Sequence, residues 1–406
     1  MPMRRHDGSG GAAVRKTWSY DDGVVIDCDF PGGNIVVERR AGDCMHLRQD
    51  VRDTEGDWFY WCFRVRGAEG RRMEFRFVTG DVIGARGPAC SVDGGERWVW
   101  LGEAAAAGVS FFFEFAEAHQ QVRFCMAIPY LDRDLRRFLG RHDGEQAMRV
   151  DTLCRTEGGR DAEIIHAGCL DGDPRHRILV TARHHCCESL GSYALEGILE
   201  SVLGSDELGE WYRTNVDVMA VPFVDKDGVE QGDQGKYRRP HDHDLDYGEQ
   251  PIYRTVAALK RQVLQWSDGG LHAALDLHCP YIKGGEMDEV IYFVGGEDQR
   301  NWRRVCEFAE VFEEIQRGPL RYAALNNLPF GRGWNTKANY GSGRSCASWT
   351  SGLPGITFGT SLEIPYANAG GQEVNAATAR LLGRDLARAI RTYLGPARAE
   401  WGHGRE

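Results

Sequence analysis

Between residues 18 and 124 apolar and polar side chains alternate in short runs, among them 58–65 (WFYWCFRV), 72–78 (RMEFRFV) and 111–115. A period of two puts every second side chain on one face, so these runs predict half-buried strands. Asp22-Gly23, Pro31-Gly32-Gly33 and Asp93-Gly94-Gly95 supply the residues that tight reversals need, which makes the strands antiparallel neighbours in a β-sandwich. Residues 132–139 (DRDLRRFL) switch to helical spacing and read as a connection between two domains.

Beyond about residue 143 short apolar runs alternate with amphipathic stretches. Strands are expected at 177–182, 216–224, 273–277, 290–294 and 355–364, and helices around Tyr193–Val202 and at 252–266, 302–315 and 376–394. Such alternation predicts an α/β domain, its mixed, mostly parallel sheet covered by helices on both faces. The expected organisation is a disordered tail over 1–16, an antiparallel β-sandwich over 17–142 and an α/β domain over 143–406.

Composition removes several classes of function. The 60 acidic against 49 basic residues give a net charge of -11 with no basic stripe, which argues against nucleic acid as partner. No segment reaches the roughly 18 apolar residues of a membrane span, and the basic start MPMRRHDGSGGAA lacks the apolar run of an export signal. The 12 cysteines are scattered and two of them are adjacent, so they read as free thiols of a cytoplasmic protein. The oligomeric state is not legible.

The chemistry gathers at strand ends, where open α/β sheets place their sites. His185-Cys186-Cys187-Glu188 follows the strand 177–182, and an imidazole and a carboxylate three residues apart on a turn reach one cation together. His278 ends a second apolar strand, and Asp276 shares its face and could orient a ligand. Three protein ligands, His185, Glu188 and His278, leave one tetrahedral position open, as catalytic zinc sites do. A core histidine and a chance His-x-x-Glu are the bland alternatives.

These motifs resemble those of the zinc carboxypeptidases, specifically the cytosolic carboxypeptidase branch with an N-terminal β-sandwich. Ala182-Arg183-His184-His185-Cys186-Cys187-Glu188 is similar to that branch's Ala-Arg-x-His-Pro-x-Glu, and Asp276-Leu277-His278 to its Asp-Leu-His. Trp58-Phe59-Tyr60 with Phe63-Arg64-Val65, and Pro129-Tyr130 followed by Asp134-Leu135, resemble its first domain and junction. The resemblance implies one zinc per chain, Glu363 as the base that activates water, and a peptide or protein C-terminus, or a related amide, as substrate. It further implies Tyr340 as a substrate clamp and, from Gly235-Lys236-Tyr237-Arg238-Arg239, an oxyanion-stabilising arginine, Arg238 in preference to Arg239, with Arg239 beside the substrate.

One departure stands out. Where the family carries Asp-Leu-Asn-Arg or a bare Asn-Arg, whose arginine grips the substrate carboxylate in a fork, this chain reads Asp244-Leu245-Asp246-Tyr247, with Asp246-Tyr247 or, if the register slides, Asp244-Leu245 in place of Asn-Arg. Asp246 and Tyr247 are thereby expected at the substrate end of the pocket, an anion facing an anion at a cost of about 4 kcal/mol at 4 Å. Either Lys337 or Arg344 replaces the missing cation, or the pocket admits amides, esters or cations as an amidohydrolase or deacylase does, or zinc and peptide are bound with little turnover.

Overall fold

The computed structural model describes residues 16–56 and 58–395; the tail expected over 1–16 falls almost wholly outside the described residues. The first third forms two sheets of six and five strands. They pack face to face through phenylalanines placed by the alternation: Phe63 of the first sheet lies 5.3 Å, centroid to centroid, from Phe75 of the second, and Phe124 lies 5.2 Å from Phe111. Full burial of such a ring contributes roughly 1.5–3 kcal/mol.

All pairings of the first sheet are antiparallel, but in the second Cys44–Arg48 runs parallel to Arg72–Phe77. The chain visits the first sheet as Cys62–Arg66 between these two strands, and two reversals return it in its original direction.

The helix Asp132–Arg141 leads into a seven-stranded mixed sheet. Three of its six pairings are parallel, so the sheet is less parallel than the pattern suggests. The parallel strands Val216–Val221, His176–Ala182, Leu271–His278 and Phe358–Glu363 are neighbours at its centre. Antiparallel strands flank them: Met148–Arg155 and Asp161–Gly168 on one side, Tyr292–Val294 on the other.

Both faces of this sheet are covered. Ile178, Val180, Leu275 and Leu277 join the helices Leu190–Leu203 and Ala376–Leu394 in the main core, whereas Leu179, Met219 and Ala274 pack with Val256, Leu259 and Val263 of Arg254–Ser267. Near-continuous apolar runs are what two buried faces demand. The sandwich is tied to this unit by polar clamps: Gln234 exchanges hydrogen bonds with the backbone of Tyr60 (2.7 and 2.8 Å), and Asn34 donates to Gly232 O at 2.7 Å. No helix among the described residues is long and apolar enough to cross a membrane.

Candidate metal centre and catalytic cleft

The central strand His176–Ala182 ends at Arg183, whose φ of 64° is rare for a side-chain-bearing residue. Its guanidinium is locked to Cys186 O at 2.8 Å and Tyr130 O at 2.7 Å, which holds the turn. The turn sends His184 and His185 to different partners and brings Glu188 back under the strand ends. Gly235 closes over this turn, where a Cβ would meet Cys186 N at 2.4 Å, so no side chain is tolerated there.

His185 Nδ1 lies 3.0 Å from Glu188 Oε1, His278 Nδ1 lies 2.9 Å from Glu188 Oε2, and the two Nδ1 atoms are 3.2 Å apart. These three groups form one compact nitrogen and oxygen donor set. Each imidazole is aimed from behind: His278 Nε2 meets Asp276 Oδ2 at 2.7 Å, and His185 Nε2 lies 3.7 Å from Asp242 Oδ2. Such carboxylates fix the tautomer that leaves Nδ1 free to ligate. Asp276 also accepts from Thr181 and pairs with His184 Nδ1, both at 2.8 Å, and His184 Nε2 meets Tyr247 OH at 2.7 Å. His184, Asp244, Asp276 and His278 form a second buried group of potential ligands, but Asp276 is already bonded to both imidazoles, and this group serves to orient. Cys186 and Cys187 point away, to Asp233 O and Tyr366, and all 12 cysteines are free.

Glu363 ends the strand beside His278 and stands directly in register with it. Burial lifts its carboxyl to about 7, with Glu188 adding to the shift and His278 and Lys236 opposing it. Its Oε2 is buried without a hydrogen-bond partner. Burial opposes charge on His185, but Glu188 and Asp242 outweigh it and lift this imidazole to about 9.

His185, Glu188, His278, Glu363 and Tyr340 all line one cleft of about 280 Å³. Four other expected site residues do not. Arg238, expected at the oxyanion, is held by Asp53, Asp225 and Asp233 at 3.0, 2.5 and 3.0 Å, because the chain folds it back among buried carboxylates. Arg239 turns outward to an ion pair with Glu55. Asp246 is buried and accepts from Ile252 N and Tyr253 N at the head of Arg254–Ser267, and Tyr247 is buried against His184 and Trp349. Lys337 and Arg344, the candidate replacement cations, line a neighbouring pocket beyond Tyr340.

Lys236, Trp58 and Asp242, none of them expected from the sequence at this site, also face the cleft. Only the glycine before Lys236 hinted at a chain passing close to the metal turn.

No family model matches the sequence. The structure superimposes on the metallo-carboxypeptidase from Burkholderia cenocepacia with a TM-score of 0.74 at 18% identity, covering 91% of this chain and 99% of that one. A metallo-carboxypeptidase from Pseudomonas aeruginosa, in complex with (2-guanidinoethylmercapto)succinic acid, gives 0.71 at 20% identity, with 90% and 98% covered. The fold is therefore that of the metallo-carboxypeptidases.

In sequence the chain is similar to cytosolic carboxypeptidase 6 of Caenorhabditis elegans, 25% identical over 206 residues, which span 48% of this chain and 39% of that protein. The chain spans about half the length, or less, of the curated relatives it matches. It is thus cytosolic carboxypeptidase-like, within the metallocarboxypeptidase fold.

Proposed function

We propose that this protein is a zinc-dependent hydrolase of the carboxypeptidase type, cleaving a peptide or amide bond at the end of a chain, with altered recognition of the substrate's carboxylate. One observation carries the reading: two imidazole Nδ1 atoms converge on the oxygens of Glu188 while Glu363, in register with His278 and with one oxygen buried and unpartnered, lines the same cleft. Two nitrogens and one carboxylate, each imidazole backed by a second carboxylate, are the donor chemistry of a catalytic zinc site, and His185, Glu188 and His278 would hold one ion per chain. Bound there, zinc would supply Lewis acidity, polarising the scissile carbonyl and acidifying water.

Glu363 then takes a proton from the attacking water and delivers it to the leaving amine. A carboxylate lifted by burial to about 7 is matched to both halves of that transfer near neutral pH. Tyr340 closes the far wall, its hydroxyl held by Asn335 at 2.9 Å. Asp242 and Asp244 also line the cleft and favour a second reading, in which an amidohydrolase or deacylase accepts ends that carry no negative charge. The free thiols suit a cytoplasmic setting.

Mass spectrometry of peptides and acylated amines incubated with zinc-loaded protein should show loss of a terminal group, slowed at least about a hundredfold in Glu363→Gln with zinc retained. Undiminished turnover in this variant would place the base elsewhere, and no cleavage by the wild type would refute the hydrolase reading.

A further inference from the structure

Among the described residues Lys236 is the one lysine or arginine that lines the cleft. Its ammonium lies 2.5 Å from Glu188 Oε1, the oxygen that His185 Nδ1 also approaches, and donates at 3.5 Å to Cys279 O. The same ammonium stands 5.1 Å from the centroid of the Trp58 indole, which the sandwich contributes to the cleft wall.

Glu188 Oε1 thus has two claimants. A dipositive ion held by His185, Glu188 and His278 repels an ammonium at that oxygen and withdraws the electron density that made it a good acceptor. The face of Trp58 offers the ammonium a second station within the same cleft. Lysine, a point charge on a flexible four-carbon stem, can move between the two.

The other basic residues are committed or displaced: Arg238 is enclosed by three carboxylates, and Lys337 and Arg344 line the next pocket. The segment expected to carry the family's carboxylate-gripping arginine, Asp244-Leu245-Asp246-Tyr247, holds no cation, and Tyr247 is buried.

We propose that Lys236 is the anion-recognition residue of this cleft: metal capture by Glu188 releases its ammonium toward Trp58, where it receives the terminal carboxylate of the substrate. The inference rests on the metal assignment made above, and it deepens that reading by naming a free carboxylate as the group recognised. Metal binding and carboxylate binding are then coupled, because one event frees the cation that the other needs.

The test uses the zinc-loaded full chain as wild type, Lys236→Met and Lys236→Arg. Titration calorimetry with benzoylglycine and with its primary amide measures the preference for a free carboxylate, and chelator competition measures zinc affinity. Wild type should bind the acid at least about tenfold more tightly than the amide, the scale of one charge-assisted hydrogen bond. Lys236→Met should bring that ratio close to one while holding zinc at least as tightly as wild type, and Lys236→Arg should restore part of it. Equal or absent binding of the two probes by wild type, a preserved ratio in Lys236→Met, or loss of zinc from that variant would each overturn the proposal. Undiminished zinc in His185→Ala and His278→Ala would remove the metal assignment and this inference with it, whereas a preserved ratio in Lys236→Met refutes the inference alone.

Discussion

Replacing Asp276 by asparagine should weaken metal binding without touching a metal ligand. The carboxylate is buried and fully committed: Oδ1 receives Thr181 Oγ1 and His184 Nδ1, both at 2.8 Å, and Oδ2 faces His278 Nε2 at 2.7 Å. Burial pushes Asp276 up, but the His184 and His278 imidazoles outweigh it and hold the carboxyl well below its ordinary range, so it stays ionised. Asparagine keeps one acceptor only. If its oxygen stays with Thr181 and His184, an amide N–H faces His278 Nε2, and the proton that ring must carry moves to Nδ1, the atom aimed at Glu188. Losing a hydrogen bond to a charged group costs about 1.5–3 kcal/mol, and substitutions of such orienting carboxylates typically cost 10–100-fold in metal affinity. Zinc affinity of Asp276→Asn, measured by chelator competition at neutral pH, should therefore fall by about one to two orders of magnitude. Unchanged affinity in a variant with a native circular dichroism spectrum would show that His278 does not need Asp276 to present Nδ1, and the orientation argument would fail.

Four further outcomes follow from the same geometry. Elemental analysis after dialysis should find about one zinc per wild-type chain and almost none in His185→Ala or His278→Ala, since each removes one of three ligands. Zinc affinity should climb with pH until about 9, because the ion must displace a proton that Glu188 and Asp242 hold on His185. The metal-free protein should show the opposite trend: a folded value of about 9 above an unfolded one near 6.5 contributes stability fully present below pH 6.5 and lost as pH rises through 9. Arg238→Met should lower stability by about 3–5 kcal/mol in denaturant melts, as breaking a buried ion network does, while retaining zinc; a fully stable variant would mean that Asp53, Asp225 and Asp233 do not depend on it.

What was legible followed from periodicity and from strand ends. Leu271–His278 and Phe358–Glu363 are buried on both faces and read as apolar runs; His278 emerged as the polar end of such a run, whereas Glu363 came from the family resemblance. The strand Met148–Arg155 was missed because it lies at the sheet edge and is largely exposed, so its sequence alternates too weakly to register. Arg238 misled for another reason. Its neighbours match a motif, but its direction is set by Asp53, Asp225 and Asp233, which lie between 5 and 185 positions away in the chain. A local pattern carries no information about such partners. Lys236 escaped notice for the converse reason, since a lysine two residues before an arginine has no local mark of burial.

The pair Asp246 and Tyr247, expected at the substrate end of the pocket, is committed to partners outside the cleft. Asp246 satisfies two backbone amides ahead of the helix Arg254–Ser267 and accepts from His241 Nε2 at 2.7 Å, so its charge is spent inside the loop and does not oppose a substrate anion. Tyr247 reaches His184 and ends the chain that runs His278, Asp276, His184, Tyr247. A tyrosine hydroxyl donating to His184 Nε2 leaves the proton of that ring on Nδ1, facing Asp276, and thereby keeps the carboxylate available to His278. Tyr247 thus acts through His184 and Asp276 on the orientation of His278. An arginine in its place would set a full charge against the His184 ring in a fully buried site. On the proposal made above, a cation from another segment receives the carboxylate, and Lys236 is the one lysine or arginine among the described residues that lines the cleft.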